Sequence, residues 1–196
     1  MSKTALLLMD LQSGIVDRYC NDPEFIRRVQ QVTATARKAE MLIIYVVVKF
    51  REQYPEVSPR NKAFGAVKSG ALPLQEGDPA VEVSSSFAPE SGDIIVTKRR
   101  VGAFSGSDLE VVLRSQEIQH LVLAGIATSG VVLSTLRAAA DMDYAITVLS
   151  DCCFDKDEEV HRVLTEKVFP MQSDVMTATK WSQQVESTKE VEFASK

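Results

Sequence analysis

The chain has 196 residues, 45% of them hydrophobic, which is enough to bury one core. Its formal net charge is -5 at pH 7, and its one tight basic cluster is Lys98-Arg99-Arg100, so it lacks the clustered positive charge of a nucleic-acid footprint. The longest apolar run, residues 41–48, is too short to span a bilayer, and the N-terminus meets Asp10 before completing a signal-peptide stretch. A cytoplasmic protein acting away from membranes is the expectation. Three cysteines, two of them adjacent (Cys152 and Cys153), make no disulfide framework and suit a reducing compartment.

Apolar runs alternate with helical patterns. Residues 4–9 read as a first buried strand that ends in Asp10. In residues 24–40 the spacing predicts a helix with Ile26, Val29, Thr33, Ala36 and Ala39 on one face. Residues 42–48 form a β-branched run without alternation, as expected of a strand covered on both faces. Residues 51–92, rich in Pro, Gly and Ser, read as a long excursion with little regular structure. Strands follow at 94–97, 120–124 and 145–149, with a short sixth at 174–178. Ser107 and Glu110 have the spacing of a capping box before a helix with Leu109, Val112 and Leu113 inward. A helix over 128–142 and an amphipathic one over 157–169, with Val160, Val163, Leu164 and Val168 together, complete the pattern. The expected fold class is α/β: a three-layer α/β/α sandwich on a central parallel sheet of five or six strands. It forms one domain over 1–184, with a polar tail at 185–196.

In such sheets ligands bind beyond the carboxyl ends of the strands. Three ends carry chemistry: Asp10 after the first strand, Lys98 after the third, and the turn Gly-Ile-Ala-Thr-Ser-Gly (125–130) after the fourth. There is no nucleophile elbow of the G-x-S-x-G kind, no Walker A loop and no G-x-G-x-x-G after a strand. His120 and His161 are far apart, so no His-rich metal site is expected. Cys152 and Cys153 read as packing residues.

Four stretches in order carry a resemblance to a known family. They are LLLMDLQ (6–12), VTKRRVGAFSGSDL (96–109), GIATSGVVLST (125–135) and VLSDCCFDKDEEVH (148–161). Together they resemble the isochorismatase-like hydrolases, also called the cysteine hydrolase superfamily, which includes isochorismatases, nicotinamidases and carbamoylsarcosine amidases. The resemblance covers nearly the whole chain. It implies Asp10 and Lys98 as two members of a catalytic triad whose cysteine position falls on Val131. It also implies a cis peptide between Ile126 and Ala127, an oxyanion hole from the N–H groups of Ala127 and Val131, and Phe104 lining the pocket. Metal-binding nicotinamidases of the family carry an Asp/His cluster after the second strand; KFREQYPEVSPR (49–60) has neither residue. No metal and no cofactor is expected.

Amide hydrolysis in this family runs through a thioester and needs a thiolate. Valine has no lone pair, and nothing in the sequence gives Thr128, Ser129 or Ser134 a base. Vinyl-ether hydrolysis needs only a general acid to protonate the enol carbon, after which water adds and the hemiketal collapses. True isochorismatases in the family similarly place a small or apolar residue at the cysteine position. The resemblance thus implies cleavage of an enol ether such as isochorismate to pyruvate and a dihydroxy-cyclohexadiene carboxylate. Asp10 would be the acid, with its pKa raised by burial. Lys98 would orient Asp10 and bind a substrate oxygen. Tyr19, Phe50 and Phe104 are expected to wall the ring site, with Gln12 and Arg51 also on the substrate; Arg60, Arg99 and Arg100 are further candidate cations for it. The alternatives are an amidase with a non-cysteine nucleophile, or an inactive member that binds a metabolite or a protein. The expected partners are a small anionic substrate and further copies of the chain as a homo-oligomer, with neither nucleic acid nor membrane.

Overall fold

The apolar runs become the strands β1 (Lys3–Met9), β2 (Leu42–Val48), β3 (Ile94–Lys98), β4 (Ile118–Ile126), β5 (Ala145–Phe154) and β6 (Asp174–Met176). In this computed structural model the described backbone covers residues 3–20 and 22–194, with side chains as far as Thr188. All six strands run parallel in one sheet of order β3-β2-β1-β4-β5-β6.

Side chains alternate along each strand, so the sheet builds a core on each face. Leu6, Leu8, Tyr45, Val122 and Leu149 point to one layer. They pack there on α1 (Ser13–Tyr19), α2 (Pro23–Lys38) and Trp181 of α7 (Ala178–Ala194). Leu7, Met9, Ile44, Val46, Leu123 and Val148 point to the other. They meet α4 (Leu109–Ser115), α5 (Leu133–Asp141) and the Leu164–Phe169 segment that extends α6 (Glu158–Val163). The result is the three-layer α/β/α sandwich.

Several local expectations are corrected. The buried stripe of α2 is Phe25, Val29, Val32 and Ala36 with Thr33, while Ile26 and Ala39 sit at its margin. The excursion at 51–92 contains a helix, α3 (Lys62–Lys68), which Asn61 caps by accepting from Phe64 N–H at 3.1 Å. Phe64 then packs edge-on against Phe50, 5.0 Å between centroids. The capping box does not form. Asp108 is the N-cap residue, and the Ser107 hydroxyl accepts from Leu109 N–H and donates to Ala103 O. Val160 is exposed, because the buried stripe after α6 starts at Leu164. β5 runs on to Phe154 through an irregular step: Leu123 faces Val148, but Gly125 faces Cys153. α7 passes through the boundary expected at 184/185, so the segment read as a tail is helical as far as Ala194. Among the described residues no helix is long and apolar enough to cross a membrane.

Candidate active site

Register places the strand ends in one row. Met9 faces Val46 on β2 and Gly125 on β4, and Val46 faces Val96 on β3. Asp10 therefore lies one residue past this line, and Lys98 and Ala127 two residues past it. The chain builds β2 and β3 on one side of β1 and returns to build β4 on the other. The rim between β1 and β4 is thus the switch point where open α/β sheets hold ligands.

Asp10 leaves the strand with φ 57°, a left-handed conformation that Asp tolerates better than most residues, and its N–H donates to Val46 O at 2.8 Å. Lys98 Nζ reaches Asp10 Oδ2 at 3.0 Å and donates to the carbonyls of Arg100 and Val101, each at 3.0 Å. An ammonium has three protons, and all three are placed. The expectation that Lys98 also binds a substrate oxygen is therefore corrected: its hydrogen bonds are spent inside the protein. Asp10 Oδ1 is buried and has no hydrogen-bond partner among the described residues. Burial pushes the Asp10 carboxyl above the usual carboxylate range, and the Lys98 charge and hydrogen bond pull against that rise. Desolvation of an anion is the larger effect here.

The elbow stands opposite. Gly125 is required by close packing, since a Cβ there would lie 2.2 Å from Met9 O. The Ile126–Ala127 peptide is cis. The chain then enters a π-helical turn, Thr128–Val132, before α5. Gly130 N–H and Val132 N–H both donate to Ala127 O, at 3.1 and 3.3 Å. Val131 is buried and offers no nucleophilic atom. The Lys98 loop packs on the first turn of α5: Ala103 N–H donates to Thr135 Oγ1 at 3.0 Å. The three cysteines are buried, and burial raises each thiol above its ordinary range, Cys153 up to about 12.

The residues expected to bind substrate fare differently. Gln12 is fully buried: its amide donates to Val48 O and Val81 O (2.9 and 2.7 Å) and accepts from Val48 N–H at 2.8 Å. It ties the end of β1 to β2, and both of its N–H donors are used inside the protein. Phe50 is a core residue between Tyr54 and Phe64. Phe104 stacks on Tyr144, the residue before β5, with 6.3 Å between centroids. Tyr19 ends α1 at the surface with its ring against the Arg18 guanidinium. Arg51 is exposed and paired with Glu56, which also holds Arg99; Arg99 is bound in turn to Glu76 and Lys49 O. Arg60 is exposed. Arg100 donates to Arg99 O at 2.6 Å and, among the described residues, pairs with no carboxylate.

Sequence reading missed two further contacts. Thr128 Oγ1 lies 2.8 Å from His161 Nδ1, and Ser129 N–H donates to Asp155 Oδ2 at 2.7 Å. Their separations of 33 and 26 residues leave no local signal in the sequence. Among the described residues no group of His, Cys, Asp and Glu is gathered to hold a metal ion. A broad hollow lined by Thr4, His120, Thr147 and Trp181 lies at the other end of the sheet, remote from Asp10 and Lys98.

Residues 4–180 match the Isochorismatase domain family. An uncharacterized isochorismatase family protein of Bacillus subtilis is 31% identical over 183 residues, which is 93% of this chain and 94% of that one. The fold is similar to that of a cysteine hydrolase from Pseudomonas syringae, with TM-score 0.87, 23% identity and coverage of 94% of this chain and 93% of the other. It is also similar to N-carbamoylsarcosine amidase from Thermoplasma acidophilum, with TM-score 0.74, 21% identity and coverage of 90% and 96%.

Proposed function

The chain belongs to the isochorismatase family of hydrolases, and from that premise we propose that it cleaves an enol ether by general-acid catalysis, with no covalent intermediate. Isochorismate is the substrate we expect. The observation that carries this reading is Asp10 Oδ1: a buried carboxyl oxygen with no partner among the described residues, on a group whose proton affinity burial has raised. Lys98 donates to Oδ2, so the proton of the acid form resides on Oδ1. The position that the family resemblance aligns with the nucleophile is Val131, and burial keeps all three cysteines as thiols. A thioester route has no thiolate to start from.

In this mechanism Asp10 transfers its proton to the methylene carbon of the enolpyruvyl group. An oxocarbenium ion forms beside the carboxylate left on Asp10, which stabilises it. Water adds to the cationic carbon, the hemiketal expels the ring alcohol, and pyruvate is released. The proton lost by the added water restores Asp10. Lys98 holds the Asp10 carboxyl in one orientation throughout. Arg100 is the cation we assign to the substrate carboxylate, because it lies in the Lys98 loop and pairs with no carboxylate among the described residues. Val131 supplies shape and, with Ala127, a backbone N–H for the substrate oxygen.

Pyruvate release from isochorismate in D2O tests this reading. One deuterium should enter the pyruvate methyl group, and 18O from labelled water should enter its carbonyl. A folded protein that releases no pyruvate from isochorismate or simpler enol ethers would overturn it.

A further inference from the structure

The elbow has a third support that the strand ends do not supply. β4 and β5 pair through Ile126 and Phe154, so Asp155 emerges beside Ala127. Its Oδ2 accepts from Ser129 N–H at 2.7 Å. Two residues later Asp157 caps α6, accepting from the N–H groups of Glu159 and Val160 at 3.0 and 3.1 Å. This fixes the start of the helix that carries His161. The His161 ring reaches back to Thr128 Oγ1 at 2.8 Å, and the Thr128 side chain is fully buried. Consecutive residues at the start of the π turn are thus held by two groups from β5 and α6.

The turn needs such holding. Its first internal hydrogen bonds both converge on one acceptor, Ala127 O, at 3.1 and 3.3 Å. A π turn is a less regular support than an α-helix start, and its N–H directions are set largely by what anchors it from outside. Asp155 also places a carboxylate at the N-terminus of the segment, where backbone N–H groups favour negative charge.

We propose that Thr128, His161 and Asp155 are positioning residues: a latch from the end of β5 and from α6 that fixes the backbone of the elbow, and with it the direction of the Ala127 and Val131 N–H groups. None of the three touches substrate in this scheme. The inference rests on the reading of the elbow as part of the active site, and its test has a readout that needs no substrate.

The experiment compares His161→Leu, His161→Asn, Asp155→Ala and Asp155→Asn with the parent protein. Leu removes the ring nitrogen, whereas the Asn amide keeps a polar atom near the position of Nδ1. Amide hydrogen exchange is followed by mass spectrometry on peptides spanning 123–135 and on β1 and β2 as controls. Exchange at the elbow should rise on the order of tenfold in His161→Leu and Asp155→Ala, with β1 and β2 unchanged, and both Asn variants should return it toward the parent. On an enol ether, kcat should fall with the elbow exchange while KM stays within about threefold. Elbow exchange equal to the parent in folded His161→Leu and Asp155→Ala would overturn the latch, as would a rise spread evenly over all strands. Absence of turnover in the parent would remove the ether-hydrolysis reading and leave the exchange result to decide the latch.

Discussion

Lys98 binds one oxygen of Asp10 and leaves the other alone: Nζ is 3.0 Å from Oδ2, while Oδ1 is buried with no partner among the described residues. A buried polar atom left unpaired costs about 1–3 kcal/mol, so an oxygen in this setting favours the form in which it carries a proton. The pair also divides the labour of the carboxyl group. One oxygen is anchored, and in the proposed mechanism the other holds and delivers the proton.

Asp10→Asn keeps the shape of this group and removes its ionisable proton. Turnover should fall about 10²–10⁴-fold, the usual contribution of a general acid. Val131→Ala should keep most of the turnover and lose stability by about 1–3 kcal/mol from the vacated space. Steady-state pyruvate release, with folding of both variants checked by circular dichroism, makes the comparison. Equal turnover in the two would remove Asp10 from its role. In the parent, kcat should decline as pH rises through the elevated pKa of Asp10, because the proton-bearing form disappears.

Gln12→Ala removes a buried amide that satisfies Val48 N–H, Val48 O and Val81 O. Each group left unpaired costs about 1–3 kcal/mol. The urea midpoint should drop well below that of the parent, while KM at low temperature stays within about threefold. A large KM change with an unaltered midpoint would return Gln12 to the substrate site.

Gly125→Ala sets a Cβ 2.2 Å from Met9 O, which is backbone and cannot turn aside. Overpacking of this kind costs at least about 1–3 kcal/mol. The melting temperature should fall clearly and turnover with it, since β1 and β4 carry Asp10 and the elbow. A melting temperature within a degree of the parent's would show that the strands separate without penalty.

His120 and His161 have pKa values lowered by burial, which outweighs the opposing charges of Asp174 and Asp155 respectively. The unfolded chain then binds more protons than the folded one between the lowered values and about pH 6.5. Stability should rise with pH across that window and be lost on acidification below about 6.5. Urea titrations at several pH values read this slope. Replacing both histidines with Asn should flatten it, and an unchanged slope in that variant would assign it to other groups.

The stretch KFREQYPEVSPR after β2 offers neither Asp nor His for a metal. Turnover should survive dialysis against EDTA unchanged. Loss of activity with recovery on adding zinc or another divalent ion would require a metal in the mechanism.

Much of the fold could be read from local pattern. Unbroken apolar runs at 4–9, 42–48 and 120–124 have one stable home, a parallel sheet covered on both faces, and that home sends Asp10, Lys98 and the Gly125 turn to the same rim. Strand periodicity and the position of each polar residue at a strand end are short-range facts, so the sequence by itself determined them. Tertiary structure decided the rest, because it depends on partners far along the chain. Gln12 resembled a ligand residue until Val48 and Val81 took both of its donors, and Phe50 resembled a pocket wall until Phe64 and Tyr54 enclosed its ring. Lys98 spent its protons on Asp10, Arg100 and Val101, and Thr128 met His161 across 33 residues. A side chain's hydrogen-bonding capacity is finite, and which neighbours exhaust it is fixed only when the sheet and its two helical layers close.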